Sequence, residues 1–399
     1  MKFAHLADCH IGSWRDPLLA DLNIKAFERA IDISIQENLD FVIIAGDLFN
    51  TSLPSLDYLK KATKKLKQLK DSSIPCYLIP GSHDFSPSGK TMLDVLEHAG
   101  LCINVAKGEE VEGKLKLNFT IDKKTGVKIT GLLGKKGGLE KNYYAALLRE
   151  PLEQEPGYKI FLFHSLLTEL KPKELEKSDS QPMSLLPKNF DYYAGGHPHF
   201  IFSEKIENYG IISYPGPIFP NSFKELEDLQ HGGFYIIEGN NAEWVPIKLY
   251  DVVNIRIDVG HKTVEQVESL LKKKIEENDF NNKVVAIRMK GILESGKPSD
   301  INFREFYNKL KEKGAYVILK NSSALTSREF EDIKIEVSNT NKLENSLIEE
   351  QISKGDLQDI DAFEFTKYLI KVLDTSKQEG ERAYDFEKRI KEEIDRMVN

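Results

Sequence analysis

The amino-acid pattern predicts an α/β fold, and two observations carry that reading. Short apolar runs rich in β-branched and aromatic residues alternate with longer segments of helical spacing. Five of those runs also end in side chains of metal-ligand type: Asp8-Cys9-His10, Gly46-Asp47, His83-Asp84, His164, and Gly196-His197-Pro198-His199. The first follows Lys2 to Ala7. The second closes Asp40 to Ala45, too short and too β-branched to be an independent helix. The third follows Ile74 to Pro80, the fourth Lys159 to Phe163, and the fifth Phe190 to Ala194. In an α/β sheet the loops at the carboxyl ends of the strands face one rim, so the five ends should meet there.

Further along, Phe202 to Ile206, Ile211 to Tyr214 and Gly233 to Ile237 are spaced like strands of a second sheet, with a turn at Tyr214-Pro215-Gly216-Pro217. From Val252 the pattern becomes strand (Val252 to Val259), helix (Val264 to Glu277), strand (Lys283 to Lys290), helix (Asn302 to Lys313) and strand (Ala315 to Leu319). Apolar residues at Val264, Val267 and Leu271, and at Phe303, Phe306 and Leu310, give those helices one buried face each. Asn321-Ser322-Ser323 and Ser338 to Asn341 read as linker punctuation. Beyond them, Phe365, Leu369 and Val372 form one helical stripe, and Phe386, Ile390, Ile394 and Met397 another.

Carboxylates and imidazoles together suit Mn, Fe, Zn or Mg, and a carboxylate can bridge two such ions about 3.5–4 Å apart. Asp47 is the natural bridge, because the glycine before it allows close backbone approach. His5, His98, His231 and His261 lie outside the five segments and are read as ordinary core or surface residues. Cys9 sits between two ligand candidates, but alternation along an extended segment turns it to the other face, as core filler.

Composition narrows the class. Three cysteines with no C-x-x-C spacing argue against a disulfide framework and for a reducing compartment. No apolar run approaches the ~18 residues of a membrane span, and the first ten residues hold site chemistry rather than a cleavable signal, so a soluble, cytoplasmic, nucleoid-associated protein is expected. The net charge of −8 is not that of a general nucleic-acid binder. Ten basic and fifteen acidic residues fall within 340–399, which leaves −3 for the remainder. Any nucleic-acid contact must therefore be local. Candidates are Lys60, Lys61 and Lys64 with Lys65, Lys67 and Lys70 on the helix Leu56 to Lys70, and Lys135 and Lys136 in the flexible loop Gly134 to Gly138. A solvated surface is the plainer reading of both.

The order Asp-x-His, Gly-Asp, Gly-x-His-Asp, His, Gly-His-x-His resembles that of the calcineurin-type metallophosphoesterases. His5 to Gly12 and Ala45 to Phe49 are similar to the nuclease subunit of the double-strand-break repair complex, the SbcD or meiotic-recombination type. That resemblance implies a four-layer α-β-β-α metallophosphoesterase domain, two packed β-sheets flanked by helices, over residues 1–250. A small α/β capping domain would follow at 251–325, then a linker and helical tail at 326–399. It also implies two divalent ions, with Mn expected: the first on Asp8, His10, Asp47 and His199, the second on Asp47, His164, His197 and Ser82. His83 would contact the scissile phosphate and help the leaving oxygen depart, with Asp84 orienting its ring. The implied activity is metal-dependent exonuclease or endonuclease hydrolysis of DNA ends. The implied partner is an SbcC-type SMC-like ATPase, docked on Phe365, Leu369, Val372, Phe386, Ile390, Ile394 and Met397, and a homodimer is expected.

Two positions depart from the family pattern. Ser82 stands where the family has asparagine, so the hydroxyl ligates weakly, acts through a water, or leaves the position open. Asn50 stands where a histidine is usual, and it cannot carry a proton in catalysis. Two alternatives stand beside the nuclease: a weakly catalytic or non-catalytic DNA-end scaffold, and a phosphoesterase of the same fold acting on small molecules.

Overall fold

The computed structural model describes residues 1–86, 91–328, 362–375 and 383–398. Two six-stranded sheets form its centre. The first runs in the order Asn241–Ile247, Gly232–Glu238, Lys2–Leu6, Phe41–Ala45, Cys76–Ile79, Ile103–Asn104. The second runs Ile201–Ile206, Gly210–Pro215, Tyr192–Gly196, Lys159–His164, Lys128–Gly131, Thr120–Ile121. The strands that lead into the site run parallel to one another within each sheet: Lys2–Leu6, Phe41–Ala45 and Cys76–Ile79 in one, Lys159–His164 and Tyr192–Gly196 in the other. Their carboxyl ends therefore open on the same rim.

Alternation along Lys2–Leu6 shows why two sheets pack. Phe3 faces the second sheet, joining Phe41, Ile43, Tyr77, Ile160, Leu162 and Tyr192, while Ala4 and Leu6 face the helices on the outside. The Phe3 ring stacks on Phe41 at 4.8 Å and meets Tyr192 edge-on at 5.3 Å. Deleting a buried ring of this kind typically costs about 3–5 kcal/mol. The outer helix Pro17–Gln36 starts cleanly because Asp16 accepts from the N–H groups of Leu18 and Leu19 and proline occupies the first turn. With Leu56–Asp71 it covers the first sheet, while Tyr144, Leu147 and Leu152 pack outside the second. The result is the expected arrangement of two packed sheets flanked by helices.

Gly232–Glu238 corrects one expectation. It joins the first sheet, antiparallel to Lys2–Leu6, and not the second. A strand's run of apolar residues fixes its burial but not which sheet edge it reaches.

A third unit has its own sheet, in which Val252–Asp258 and Val317–Ser327 both pair in parallel with Val284–Ser295. Helices Val264–Glu277 and Phe303–Glu312 bury Val267, Leu271, Phe306 and Leu310 against it. Thr263 and Gln266 close a capping box at the start of the first helix. Asn321-Ser322-Ser323 is not a linker: it lies inside Val317–Ser327, which runs past the expected limit at 325. The turn preference of these polar residues survives as a bulge: Asn321 pairs with Arg288 and Ala324 with Lys290, while Ser323 N–H and Oγ–H donate to Asn321 Oδ1 at 3.2 and 2.8 Å. Ser338 to Asn341 falls outside the described residues.

The helices Ala362–Leu373 and Ala383–Val398 lie against each other, with Val372 buried and Phe365, Leu369, Phe386, Ile390 and Ile394 half-buried. The Met397 side chain falls outside the described residues. Among the described residues no helix is long and apolar enough to cross a membrane.

Candidate metal centre

Asp8, His10, Asp47, His164, His197 and His199 all stand at the shared rim. Asp8, His10 and His199 bring one ligand atom each to within 4.8 Å of one another, as do His10, Asp47 and His83, and Asp8, Asp47 and His164. His197 joins the cluster differently. Its backbone N–H donates to both Asp8 carboxylate oxygens at 3.0 Å, and its ring lies beside that of His164 at 5.3 Å. The Ser82 hydroxyl is 3.4 Å from Asp47 Oδ2.

The backbone bends sharply to present these groups. Asp8, His10, Asp47, His197 and His199 all have positive φ, between 41° and 98°, five of the thirteen such non-glycine residues among those described. Such clustering at one rim marks a site where the surrounding structure over-determines an unfavourable conformation. Two glycines make room. A Cβ on Gly81 would come within 2.2 Å of Asp47 Oδ1, and one on Gly46 within 2.3 Å of His164 Nδ1.

Electrostatics agree with a cation site. Burial raises the Asp47 pKa, but the charge and hydrogen bond of His164 outweigh it and leave Asp47 well below the ordinary carboxylate range. His164 is pushed the other way, to about 10, because Asp47 overcomes the lowering by burial. Its Nδ1–H donates to the Ala45 carbonyl at 2.8 Å and its Nε2–H to Asp47 at 3.1 Å. This pair stabilises the fold fully between the ordinary carboxylate value of about 4 and the ordinary imidazole value of ~6.5; the contribution is lost as pH rises towards about 10 through His164 and as pH falls below the carboxylate range through Asp47. With Nδ1–H held by the Ala45 carbonyl, Nε2 is the His164 atom that would serve a divalent ion once its proton is lost. Burial holds His10 down at about 3 and, with the His164 charge, His197 at about 4, so both are neutral donors.

The residues fit divalent ions. His10 Nε2 and His199 Nε2 face each other at 3.0 Å, with Asp8 and Asp47 carboxylates 3.8 and 3.6 Å away. Opposed imidazole nitrogens between two buried carboxylates require a proton or a cation among them. Mixed carboxylate and imidazole donors suit a hard or borderline metal.

Asp84 does not orient His83. Its carboxylate accepts from the N–H groups of Leu48, Phe49 and Gly81 at 3.0–3.1 Å, so it clamps two loops together. Burial first, then the Asp47 charge, push its pKa up despite those three bonds. The His83 ring is oriented by a main-chain group instead: Nδ1–H donates to the Asn50 carbonyl at 2.9 Å. Adjacency in sequence suggested the wrong partner: three main-chain N–H groups take up the Asp84 carboxylate, while the His83 ring reaches the Asn50 carbonyl.

The lysine candidates divide. Lys61 and Lys65 pair with Asp21 and Asp32 of the neighbouring helix, which favours the solvated-surface reading for them, while Lys60 and Lys64 are exposed. Lys135 packs against two aromatic rings. Its ammonium lies 4.4 Å from the Tyr143 ring centroid and 5.1 Å from that of Phe85, and it lines a cavity of about 310 Å³ with His83, His164 and His197. Cation–π contacts with the flanking rings place the ammonium beside that cavity. The Lys136 side chain falls outside the described residues.

Residues 1–200 match the calcineurin-like phosphoesterase family. The chain belongs to that family. This phosphoesterase is 29% identical to the "DNA double-strand break repair protein Mre11" of Archaeoglobus fulgidus over 302 residues, covering 69% of this chain and 65% of that one. It is 27% identical to the protein of the same name from Methanopyrus kandleri, over 63% of this chain and 57% of the relative. With that of Methanocaldococcus jannaschii it shares 28% over 387 residues, 90% of this chain and 92% of the other. The phosphoesterase thus spans less than two thirds of the first two relatives' lengths and nearly all of the third.

Two contributors to the site escaped the sequence reading. Asn23, fully buried on the helix Pro17–Gln36, accepts from Gly12 N–H and donates to the Cys9 carbonyl, fixing the loop that carries Asp8 and His10. Glu225 Oε1 accepts from His199 Nδ1–H at 3.2 Å. The Ser222-x-x-Glu225 spacing signals a helix start, yet nothing local links it to a histidine 26 residues earlier.

Proposed function

We propose that this phosphoesterase is a nuclease that hydrolyses phosphodiester bonds of DNA, acting at ends together with an SMC-like ATPase. The observation that carries the reading is the meeting of two carboxylates and four imidazoles at one rim, with His83 beside them and Lys135 lining the adjoining cavity. The relatives are named for DNA double-strand break repair, which supports DNA as the substrate. Asp8, His10, Asp47 and His199 would hold one divalent ion and Asp47, His164, His197 and Ser82 the other, with Mn the expected metal. Bound there, the ions would supply an acidified water for in-line attack and charge to neutralise the phosphate. His83 Nε2, left free by the Nδ1–H bond to Asn50, faces the site to donate a proton or stabilise charge on the phosphate. Asn50 serves through its main-chain carbonyl, so the absence of a histidine side chain there does not remove the orientation of His83.

The third unit, residues 251–327, would act as a cap that positions DNA. Exposed Leu18, Leu53 and Leu56 support pairing of two copies through the helices after the first two motifs. A Mn-dependent assay on linear duplex DNA, run beside a small aryl phosphodiester, tests the proposal. Cleavage of DNA with little turnover of the small ester is expected, and the reverse order would make the protein a small-molecule phosphoesterase.

Ser82→Asn should lower the Mn concentration needed for half-maximal cleavage by about tenfold or more, since changes even one shell out typically cost ~10–100-fold. Superimposable titrations of the two proteins would show that the serine, or a water on it, already completes the site. Removing residues 340–399 should leave metal binding intact and abolish association with the ATPase, read by co-elution at micromolar concentration. Retained co-elution would move the docking surface elsewhere.

A further inference from the structure

The short helix Phe223–Leu229 touches both the metal centre and the third unit, through two acidic residues two positions apart. Glu225 Oε1 accepts from His199 Nδ1–H at 3.2 Å, while its Oε2 is fixed by Asn221 N–H at 2.9 Å. Glu227 turns the other way and is 5% exposed. Its Oε2 receives Arg288 Nε at 2.6 Å and Nη2 at 2.5 Å, and its Oε1 lies 3.4 Å from Arg256 Nε. The Glu227 carbonyl accepts from Asn254 Nδ2 at 3.1 Å, and the Arg288 guanidinium lies 5.0 Å from the Phe223 ring centroid. Asn254 and Arg256 belong to Val252–Asp258, and Arg288 to Val284–Ser295. Two strands of the third sheet therefore grip one helix, and that helix holds the ring of one ligand.

An arginine that gives two N–H groups to a buried carboxylate has a narrow geometry. Movement of the third unit relative to the sheets must either break it or carry the helix along. Glu225 lies on the same seven-residue helix, so its carboxylate would move with respect to His199, whose ring is set by that contact.

We propose that Phe223–Leu229 is a coupling element in which Glu225 is a positioning residue for His199 and the Glu227–Arg288–Arg256 cluster ties that position to the placement of the third unit. The first ion's site is thereby completed or loosened as the unit moves. The inference rests on the metal-centre reading, in that His199 Nε2 is taken as a ligand. It gives the third unit a second role, in which substrate pressing on that unit reaches the metal through one helix.

Mn binding to the full chain, followed by calorimetry and by electron paramagnetic resonance of free Mn, tests this without activity. Glu225→Ala should weaken one of two ions by about 10–100-fold and leave the other within about threefold, and Glu225→Gln should recover part of the loss. The paired substitution Glu227→Gln with Arg288→Met removes both charges and lies outside the ligand set. It should weaken the same ion about fivefold or more, with the melting temperature showing a folded protein. Combined with Glu225→Ala it should add little, as expected for groups acting through one element. Mn affinities within about twofold of wild type in the folded paired variant would overturn the coupling. Wild-type chain that bound no Mn would instead overturn the metal-centre reading, and this inference with it.

Discussion

Asp47→Asn should strip the protein of both ions together and bring hydrolysis to background. Asp47 Oδ2 lies 3.1 Å from His164 Nε2 and 3.6 Å from His10 Nε2, so one carboxylate faces both halves of the site. Its Oδ1 also receives the His83 N–H at 2.7 Å, which fixes the turn carrying His83. Asparagine is the informative replacement because it tolerates the left-handed backbone that Asp47 adopts at φ 53°, whereas alanine would add strain to the loss of charge. The loss should exceed the ~10–100-fold that outer-shell changes typically cost. Metal content by mass spectrometry beside DNA cleavage reads the result. Two ions per chain in the variant would rule out the bridging role.

His83→Ser should separate chemistry from metal binding. The His83 ring packs edge-on to His10 at 4.7 Å, close enough to share the site, but its tautomer is set by the Asn50 carbonyl. With Nδ1–H committed there, Nε2 is the atom that would meet substrate. Mn affinity should stay within about threefold, while cleavage falls by ~10²–10⁴-fold, the usual contribution of a proton-transferring or charge-stabilising group. Cleavage within a fewfold of wild type at saturating Mn would assign the role to another residue.

The candidate ligands were legible because each sits at the end of a strand whose apolar run announces itself, and strand ends of a parallel sheet share a rim. The helices of the third unit were legible for a similar reason: Val267, Leu271, Phe306 and Leu310 recur at helical spacing. What stayed hidden depends on contacts between distant segments. Gly233 to Ile237 carries the pattern of any buried strand, and only pairing with Lys2–Leu6 places it in the first sheet. Asn321 to Ser323 has loop composition and keeps a local turn, with Asn321 Oδ1 accepting from Ser323; only the pairing of Asn321 with Arg288 and of Ala324 with Lys290 on either side makes it a bulge inside a strand. The Asn50 carbonyl holds the place expected of Asp84, because a carboxylate beside a histidine in sequence is a visible pairing and a backbone carbonyl 33 residues away is not. Glu225 and Asn23 act from helices on ligands of other elements, which no local spacing encodes.

The left-handed backbone at Asp8, His10, Asp47, His197 and His199 has a consequence for the life of the protein in a cell. Residues held in sparsely populated conformations cost of order 1–3 kcal/mol each, against a total stability of roughly 5–15 kcal/mol for a folded domain. The metal-free chain carries that cost together with two carboxylates buried side by side. Ions that bind only the folded form offset it in proportion to the logarithm of their free concentration. Changes of about 1–2 kcal/mol are enough to alter how much of a protein escapes degradation. Scarcity of divalent metal would therefore reduce the number of molecules present as well as the rate of each, and the supply of metal would set the protein's abundance through its turnover.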